Sequence, residues 1–274
     1  MTSTQVQFIN DIMTLKSPLR YAGGKSRARK YIVPLIPEDE PTLLSPFFGG
    51  GSVEIALAER GMNIIGYDIF EPLVNFWKVA LIDSKAIAEM AKSYFPLKKE
   101  VFAWLKQQTS GSDIERATRF YVINRASFSG TTYSGGMSPS NDSRFNLSAI
   151  EYLSSFKIEN ISVEYGDFHN TLLENKDTMV YADPPYMISS GIYGIRGSTH
   201  TNFDHDGLYS LLSKRDKWIL TYNNCDIIKE MYSNYHMLSP QWEYGMRNGA
   251  TSNELIILSP YIYDYYKSKT KEEL

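Results

Sequence analysis

"PTLLSPFFGGGSVEIALAERGMNIIGYD" occupies residues 41–68 and sets the fold class of the chain. An apolar run ending at Ser45 predicts a short strand, and Gly49–Gly51 predict a tight turn before a helix. The helix closes at Gly61, and a second apolar run ends in the carboxylate of Asp68. Strand, glycine turn, helix, strand and acid, in that order, predict one half of a doubly wound α/β fold.

Further along the chain, the strand pattern is interrupted and then resumes. Apolar residues from Glu71 to Arg125 have helical spacing, and residues 127–146 are rich in Ser, Gly and Thr, which predicts a hairpin or a long loop. Strand-like runs return at Ile161 and continue to Pro260. We therefore expect a discontinuous α/β domain interrupted by a helical insert. The predicted ranges are 17–75 and 155–262 for the α/β domain, 76–154 for the insert, and 1–16 and 263–274 for flexible ends.

Composition excludes several classes of protein. The 274 residues are 43% hydrophobic and 22% charged, which is typical of a globular chain. The single Cys225 argues against a disulfide framework or a cysteine-rich zinc site, and the four scattered histidines predict no metal site. No apolar run is long enough for a membrane span, so we expect a cytoplasmic protein without a membrane partner.

The net charge of −3 does not by itself indicate a nucleic-acid partner, but the basic residues are clustered. Five lie between Arg20 and Lys30 without an acid, and four arginines lie between Arg116 and Ala149 beside one acid, Asp142. Such stretches suit a surface that faces phosphates, although solvated helix faces are the alternative.

"VYADPPY", residues 180–186, places an acid, two prolines and a tyrosine after a predicted strand. The prolines have a fixed φ and no amide hydrogen, and Asp183 before them is pushed toward an extended conformation. The segment is then a rigid platform with a free carbonyl, a carboxylate and an aromatic face. It suits the binding of a flat polar molecule, while a simple Pro-Pro turn is the alternative.

The order of these motifs along the chain is itself informative about the family. "RYAGGKS" at 20–26 precedes the F-x-G-x-G of 47–51, and Asp68, "VEYGDF" at 163–168 and D-P-P-Y follow. The set resembles the Dam-type, alpha-group DNA adenine-N6 methyltransferases, and "INRASFSG" at 123–130 looks like the recognition segment of that family. The resemblance implies a Rossmann-like S-adenosylmethionine-dependent fold whose insert recognises double-stranded DNA. It also implies a place in restriction-modification, in a bacterial cell or a phage-infected host. We expect a monomer or weak dimer on DNA, since nothing in the sequence demands more, and no metal.

The resemblance assigns roles to individual residues. The methyl donor S-adenosylmethionine would be held by Tyr21, Ala22, Gly23, Lys25, Phe47, Gly49, Gly51, Asp68, Asp167, Phe168 and Asp183. The catalytic segment would be Asp183, Pro184, Pro185 and Tyr186. Contacts to DNA would come from Arg20, Arg125, Phe128, Ser129 and Tyr133, with Arg20 reading guanine and Arg125 holding a phosphate.

The chemistry of an exocyclic amine fits the platform. The Asp183 carboxylate and the Pro184 carbonyl can each accept one amino hydrogen, and Tyr186 can stack on a base that has left the duplex. An N4-cytosine methyltransferase needs the same acceptors and stays an alternative, as does a catalytically silent DNA-binding relative. Cytosine C5 chemistry is excluded because Cys225 follows Asn224 rather than a proline.

Two positions depart from the family pattern. Ser45 stands where the family commonly has an acid, which removes one expected partner of the donor's amino group. Tyr133 stands where readers of GATC usually have an arginine, and this loss removes a guanine contact worth about 1–3 kcal/mol of discrimination. GATC is therefore only one candidate target.

Overall fold

A computed structural model describes residues 15–21, 23–187, 203–240 and 254–271. Within these ranges the strands form one seven-stranded sheet in the order β3-β2-β1-β4-β5-β7-β6. All pairs are parallel except those of β7 with β5 and with β6. The strands are β1 Thr42–Ser45, β2 Asn63–Asp68, β3 Ile161–Tyr165, β4 Met179–Ala182, β5 Trp218–Asn223, β6 His236–Leu238 and β7 Glu254–Leu258.

Helices cover both faces of this sheet. Neighbouring strand residues point to opposite sides, and because apolar residues lie on both sides, both faces must be buried. Leu43 and Tyr181 pack in the core shared with the first helices and the insert, whereas Leu44 and Val180 pack on the other side. The helices are α1 Arg29–Ile32, α2 Ser52–Ala58, α3 Glu71–Lys92, α4 Lys99–Gln107, α5 Asp113–Ala126, α6 Leu147–Ser155, α7 Phe168–Glu174, α8 His205–Leu212, α9 Asp226–Met231 and α10 Pro260–Lys271. The predicted Rossmann-like α/β class is confirmed by this mostly parallel sheet.

The insert is helical, as expected, and packs on α3. Its long helix α5 begins at a capping box in which Ser112 and Glu115 exchange hydrogen bonds. The expected start at residue 76 falls inside α3, which has its own break at Asp83. Since the helix crosses the boundary without an intervening linker, the domain limits stay a prediction.

The loop at 127–146 is less regular than a hairpin. Three short 3₁₀ turns follow one another, and a single antiparallel bridge joins Ser127 to Met137. The left-handed φ values at Ser129, Gly130 and Thr132 prevent a continuous strand ladder here.

The expectation of a flexible end from residue 263 differs from the structure. Residues 263–271 continue α10, whose Ile262 is fully buried and whose Tyr263 ring stacks on His236 at 4.1 Å between centroids. This packing orders a segment whose polar composition resembled a tail. Among the described helices, none combines the length and the apolar character that a membrane span requires.

The strand order places a crevice between β1 and β4. Successive strands run outward from β1 in one direction and from β4 in the other, so the connections after these two neighbours leave to opposite faces. Ligands of open α/β sheets bind outside the carboxyl ends of the strands at such a point. The glycine turn follows β1 there, and Asp183 follows β4.

Candidate active site

Asp183 lies at the carboxyl end of β4 with both oxygens engaged. The Lys25 ammonium donates to Oδ2 at 2.7 Å, and the Thr221 hydroxyl of β5 donates to Oδ1 at 2.7 Å. The same ammonium donates to the Gly23 carbonyl at 2.9 Å and lies 5.1 Å from the centroid of the Tyr186 ring. The structure thus brings the first motif and D-P-P-Y together, and the acid is held in one orientation.

The glycine turn connects the ends of β1 and β2. The Gly49 amide donates to Asp68 Oδ2 at 3.0 Å, and the Phe70 amide donates to Oδ1 at 2.9 Å. Burial raises the pKa of Asp68, although these two hydrogen bonds oppose the shift. Glycine is needed in this turn because Tyr21 lies against it: a Cβ at Gly50 would be 2.8 Å from the Tyr21 Cβ.

An aromatic cluster lies beside this turn. The ring of Phe168, which begins α7, is 5.6 Å from Phe47 and 5.1 Å from Phe203 between centroids. His169 stacks on Phe168 at 3.9 Å and bridges two acids, with Nδ1 at 2.7 Å from Asp167 Oδ1 and Nε2 at 2.9 Å from Asp204 Oδ2. Phe168 therefore belongs to an apolar wall beside the turn. Asp167, His169 and Asp204 form a hydrogen-bonded link between the start of α7 and the start of α8.

The charge of that link depends on pH. Burial lowers the pKa of His169, but its hydrogen bonds to Asp204 and Asp167 outweigh the burial and leave the pKa above its usual value. Sequence reasoning missed Phe203, His169 and Asp204 as site residues. A signal was present only for His169, which directly follows the Asp167–Phe168 motif.

Two buried acids near Asp183 were also missed. Glu54 of α2 is 3% exposed and accepts a hydrogen bond from Ser45 Oγ at 2.7 Å. Glu254, the first residue of β7, is 1% exposed and lies 3.8 Å from Lys25 Nζ. Neither belongs to a motif that we recognised, and only the tertiary structure places them at the site.

Arg20 and the insert loop meet on one surface. The Asn124 side chain of α5 accepts from the Arg20 amide and donates to the Arg20 carbonyl, both at 2.8 Å. Burial, followed by the charges of Arg144 and Arg125, lowers the pKa of the Arg20 guanidinium to about 10. Three guanidinium groups therefore converge here, which suits an anionic ligand.

The remaining residues of the expected DNA contact set differ in their surroundings. Arg125 donates from Nε and Nη2 to the Arg144 carbonyl at 2.9 and 2.6 Å, so part of its guanidinium already binds backbone. Tyr133 packs between Phe70 and Phe120 rather than standing out from the loop. Phe128 is 58% exposed and precedes Ser129, whose φ of 53° turns the chain. Their roles on DNA stay predictions.

Two further expectations concern Ala22 and metal binding. Ala22 lies outside the described residues, while Gly23 beside it contributes the carbonyl that Lys25 binds. Within the described ranges there is no group of three or more His, Cys, Asp or Glu side chains arranged to hold a metal ion.

Comparison with known proteins shows the family to which the chain belongs. The model of the D12 class N6 adenine-specific DNA methyltransferase family matches residues 21–246. The chain belongs to this family. The resemblance drawn from the motifs is thereby confirmed, and the family implies a DNA substrate and S-adenosylmethionine as the methyl donor.

Relatives of this chain include proteins of similar and of greater length. The Type II methyltransferase M.CviBI of Paramecium bursaria Chlorella virus NC1A is 23% identical over 88% of this chain and 96% of its own. The Type II methyltransferase M.FokI of Planomicrobium okeanokoites is 26% identical, and the modification methylase LlaI of Lactococcus lactis is 23% identical. The matches cover 67% and 70% of this chain but only 31% and 33% of those two proteins.

The residues of the crevice fit the positively charged donor that the family implies. Glu254 is 1% exposed with the Lys25 ammonium at 3.8 Å, and Glu54 and Asp183 lie near the same crevice. Buried carboxylates that outnumber the cations beside them are costly, so a bound cation would stabilise them. The Phe47 and Phe168 rings add the apolar wall that a purine needs.

Proposed function

We propose that the protein transfers a methyl group from S-adenosylmethionine to the N6 amino group of an adenine flipped out of duplex DNA at a specific site. The observation that carries this proposal is the position of Asp183. Its carboxylate, oriented by Lys25 and Thr221, follows β4 at the crevice and precedes two prolines and Tyr186. The family membership supports the choice of adenine.

Asp183 and Pro184 would act as hydrogen-bond acceptors for the target amine. Each carboxylate oxygen has one described donor, and a carboxylate has about four lone-pair sites, so room remains for an amino hydrogen. Two acceptors on the two amino hydrogens draw the nitrogen lone pair away from the ring. The lone pair can then form the bond to the methyl carbon, and the amine afterwards loses a proton.

The remaining residues of the crevice would orient the reactants. When bound, the donor supplies a methyl group on a positively charged sulfur, and the sulfur keeps the bonding electron pair as the methyl group leaves. Asp68 and the Gly49–Gly51 turn would bind the sugar side, and Phe47 with Phe168 would contact the purine. Tyr186 would stack on the flipped target base, which must leave the duplex because stacking hides its amine.

DNA would bind across the surface formed by Arg20 and the insert loop. Loop residue Gly130 approaches the Arg20 backbone so closely that the two segments form one unit. The exposed ring of Phe128 is available to fill the space that the flipped base leaves. GATC stays one candidate target. The names of the relatives support a place in restriction-modification.

Identification of the methylated base and its context tests this proposal. Plasmid from cells that express the full chain would be digested to nucleosides and also read by modification-sensitive sequencing. We expect N6-methyladenine within one short sequence context, and a much lower level of it with a vector that carries Asp183→Ala. N4-methylcytosine would replace the adenine claim, and no modified base at all would favour a silent DNA-binding protein.

Replacement of Arg20 by alanine should relax selection at one base pair. A guanidinium can bind guanine O6 and N7 in the major groove, and each such pair contributes about 1–3 kcal/mol of discrimination. Competition between oligonucleotides that differ at one position would measure it. Arg116→Ala is the matched control, since the Arg116 guanidinium on the insert is already paired with Glu71 and Asp113. A uniform loss of affinity across all sequences would show instead that Arg20 contacts a phosphate.

A further inference from the structure

Three carboxylates converge at the crevice near one ammonium: Glu54 and Glu254 are buried, and Asp183 is 20% exposed. Lys25 lies 2.7 Å from Asp183 Oδ2 and 3.8 Å from Glu254 Oε2. Glu54 is near enough to Asp183 for their charges to interact. The buried Tyr181 hydroxyl lies 3.5 Å from Thr221 Oγ1 and interacts electrostatically with all three acids.

The charge of Glu254 is only partly compensated. Its two oxygens are buried beside Lys25 and Tyr186, and the Lys25 ammonium that faces it lies closer to Asp183. Burial, first of all, and then the Asp183 charge raise the pKa of Glu254, although Lys25 lowers it. A buried ion with so little compensation favours a ligand that brings positive charge.

Glu54 adds a carboxylate that titrates near neutrality. Burial raises its pKa to about 7, while the hydrogen bond from Ser45 opposes the shift and the Asp183 charge adds to it. In the described structure, the titratable or charged groups facing Glu54 and Glu254 are Lys25, Asp183, Tyr181 and Tyr186. One cation against three acids leaves the site negative when all are ionised.

We propose that Glu54 and Glu254, together with Asp183, give the crevice a negative electrostatic potential. This potential raises the affinity for the positively charged methyl donor relative to the affinity for its neutral product, S-adenosylhomocysteine. This inference rests on the proposed function. S-adenosylmethionine and S-adenosylhomocysteine share the adenosine and the amino acid group and differ by the methyl group and its charge. Transfer of the methyl removes one positive charge from beside the acids, which weakens the attraction just when the product must leave.

The direction in which donor affinity changes with pH follows from the titration of Glu54. Below pH 7 this acid is largely protonated and neutral, and above pH 7 it is ionised. Donor affinity should therefore rise from about pH 6 to about pH 8 more than product affinity does, with more protons released on donor binding. The α-amino group titrates in both ligands, at a lower pH in the donor because of the charged sulfur, and the comparison of wild type with Glu54→Gln removes this ligand contribution.

Calorimetric titration of the purified full chain with each ligand tests the inference. We expect Glu54→Gln and Glu254→Gln each to lower the ratio of donor to product affinity by about tenfold, the equivalent of one pKa unit of interaction. Glu54→Gln should also flatten the pH dependence of that ratio. Glu164→Gln is the control, because Glu164 is an exposed acid on β3 that pairs with Lys78, and it should change neither measurement.

The outcomes separate this inference from the proposed function. An unchanged ratio in both variants, with wild-type methyl transfer to DNA intact, would overturn the role of the two acids and leave the function standing. Absence of both donor binding and transfer in the wild type would instead overturn the function. Thermal unfolding identifies a variant that does not fold, and the other variant then decides, since Glu54 and Glu254 lie on different elements.

Discussion

Asp183→Ala should reduce the rate of methyl transfer by about a hundredfold to a thousandfold, while DNA affinity changes little. The loss of one preorganised hydrogen-bond partner of the reacting group lowers kcat by this factor in other enzymes. The change also leaves the Lys25 ammonium, 4% exposed, without its 2.7 Å partner. Single-turnover transfer of labelled methyl, together with the affinity for a DNA duplex, would measure the two effects separately.

A graded control is available at Thr221, which orients the same carboxylate. Thr221→Val removes the hydroxyl that donates to Asp183 Oδ1 at 2.7 Å but leaves the acid in place. We expect an intermediate loss of about three- to tenfold, the size of one modest hydrogen bond. Near-normal turnover of Asp183→Ala would contradict the acceptor role, and an equal collapse of DNA affinity would indicate a structural role.

Gly130→Ala should separate the insert loop from the Arg20 segment. A Cβ at Gly130 would lie 2.0 Å from the Arg20 carbonyl oxygen, and the φ of 67° disfavours any side chain. Since the obstacle is backbone, the loop must move rather than one side chain. We expect DNA affinity or sequence selection to fall by about tenfold or more, with a strain of about 1–3 kcal/mol. Donor affinity should stay near normal, because the crevice lies on the sheet.

Gly136→Ala is the matched control in the same loop. A Cβ there meets nothing within 4 Å, and Gly136 does not have a positive φ. Gel-shift titration with specific and scrambled duplexes, beside calorimetry with the donor, would compare the two variants. Equal behaviour of both on DNA would show that contact between the loop and Arg20 does not support DNA binding.

Much of the fold could be predicted because its signals are local. The glycines before α2 and the acid ending β2 are close in sequence, and the prolines after Asp183 restrict their own backbone. The helical spacing of α5 similarly predicted the insert. Segments whose structure depends on distant packing were harder. α10 is ordered through Ile262 and Tyr263 against other elements, and the loop after α5 takes tight turns with positive φ that its composition did not indicate.

The site shows the same division. The sequence by itself determined the motif residues, the family they indicate, and an acid before two prolines at a strand end. Tertiary structure alone decided their partners: Lys25 and Asp183 are 158 residues apart, Asp183 and Thr221 are 38 apart, and His169 and Asp204 are 35 apart. It also directed Arg125 to backbone carbonyls. The physical reason is range, since turns and strand patterns depend on neighbouring residues, whereas burial and charge compensation depend on which distant strands become adjacent in the sheet.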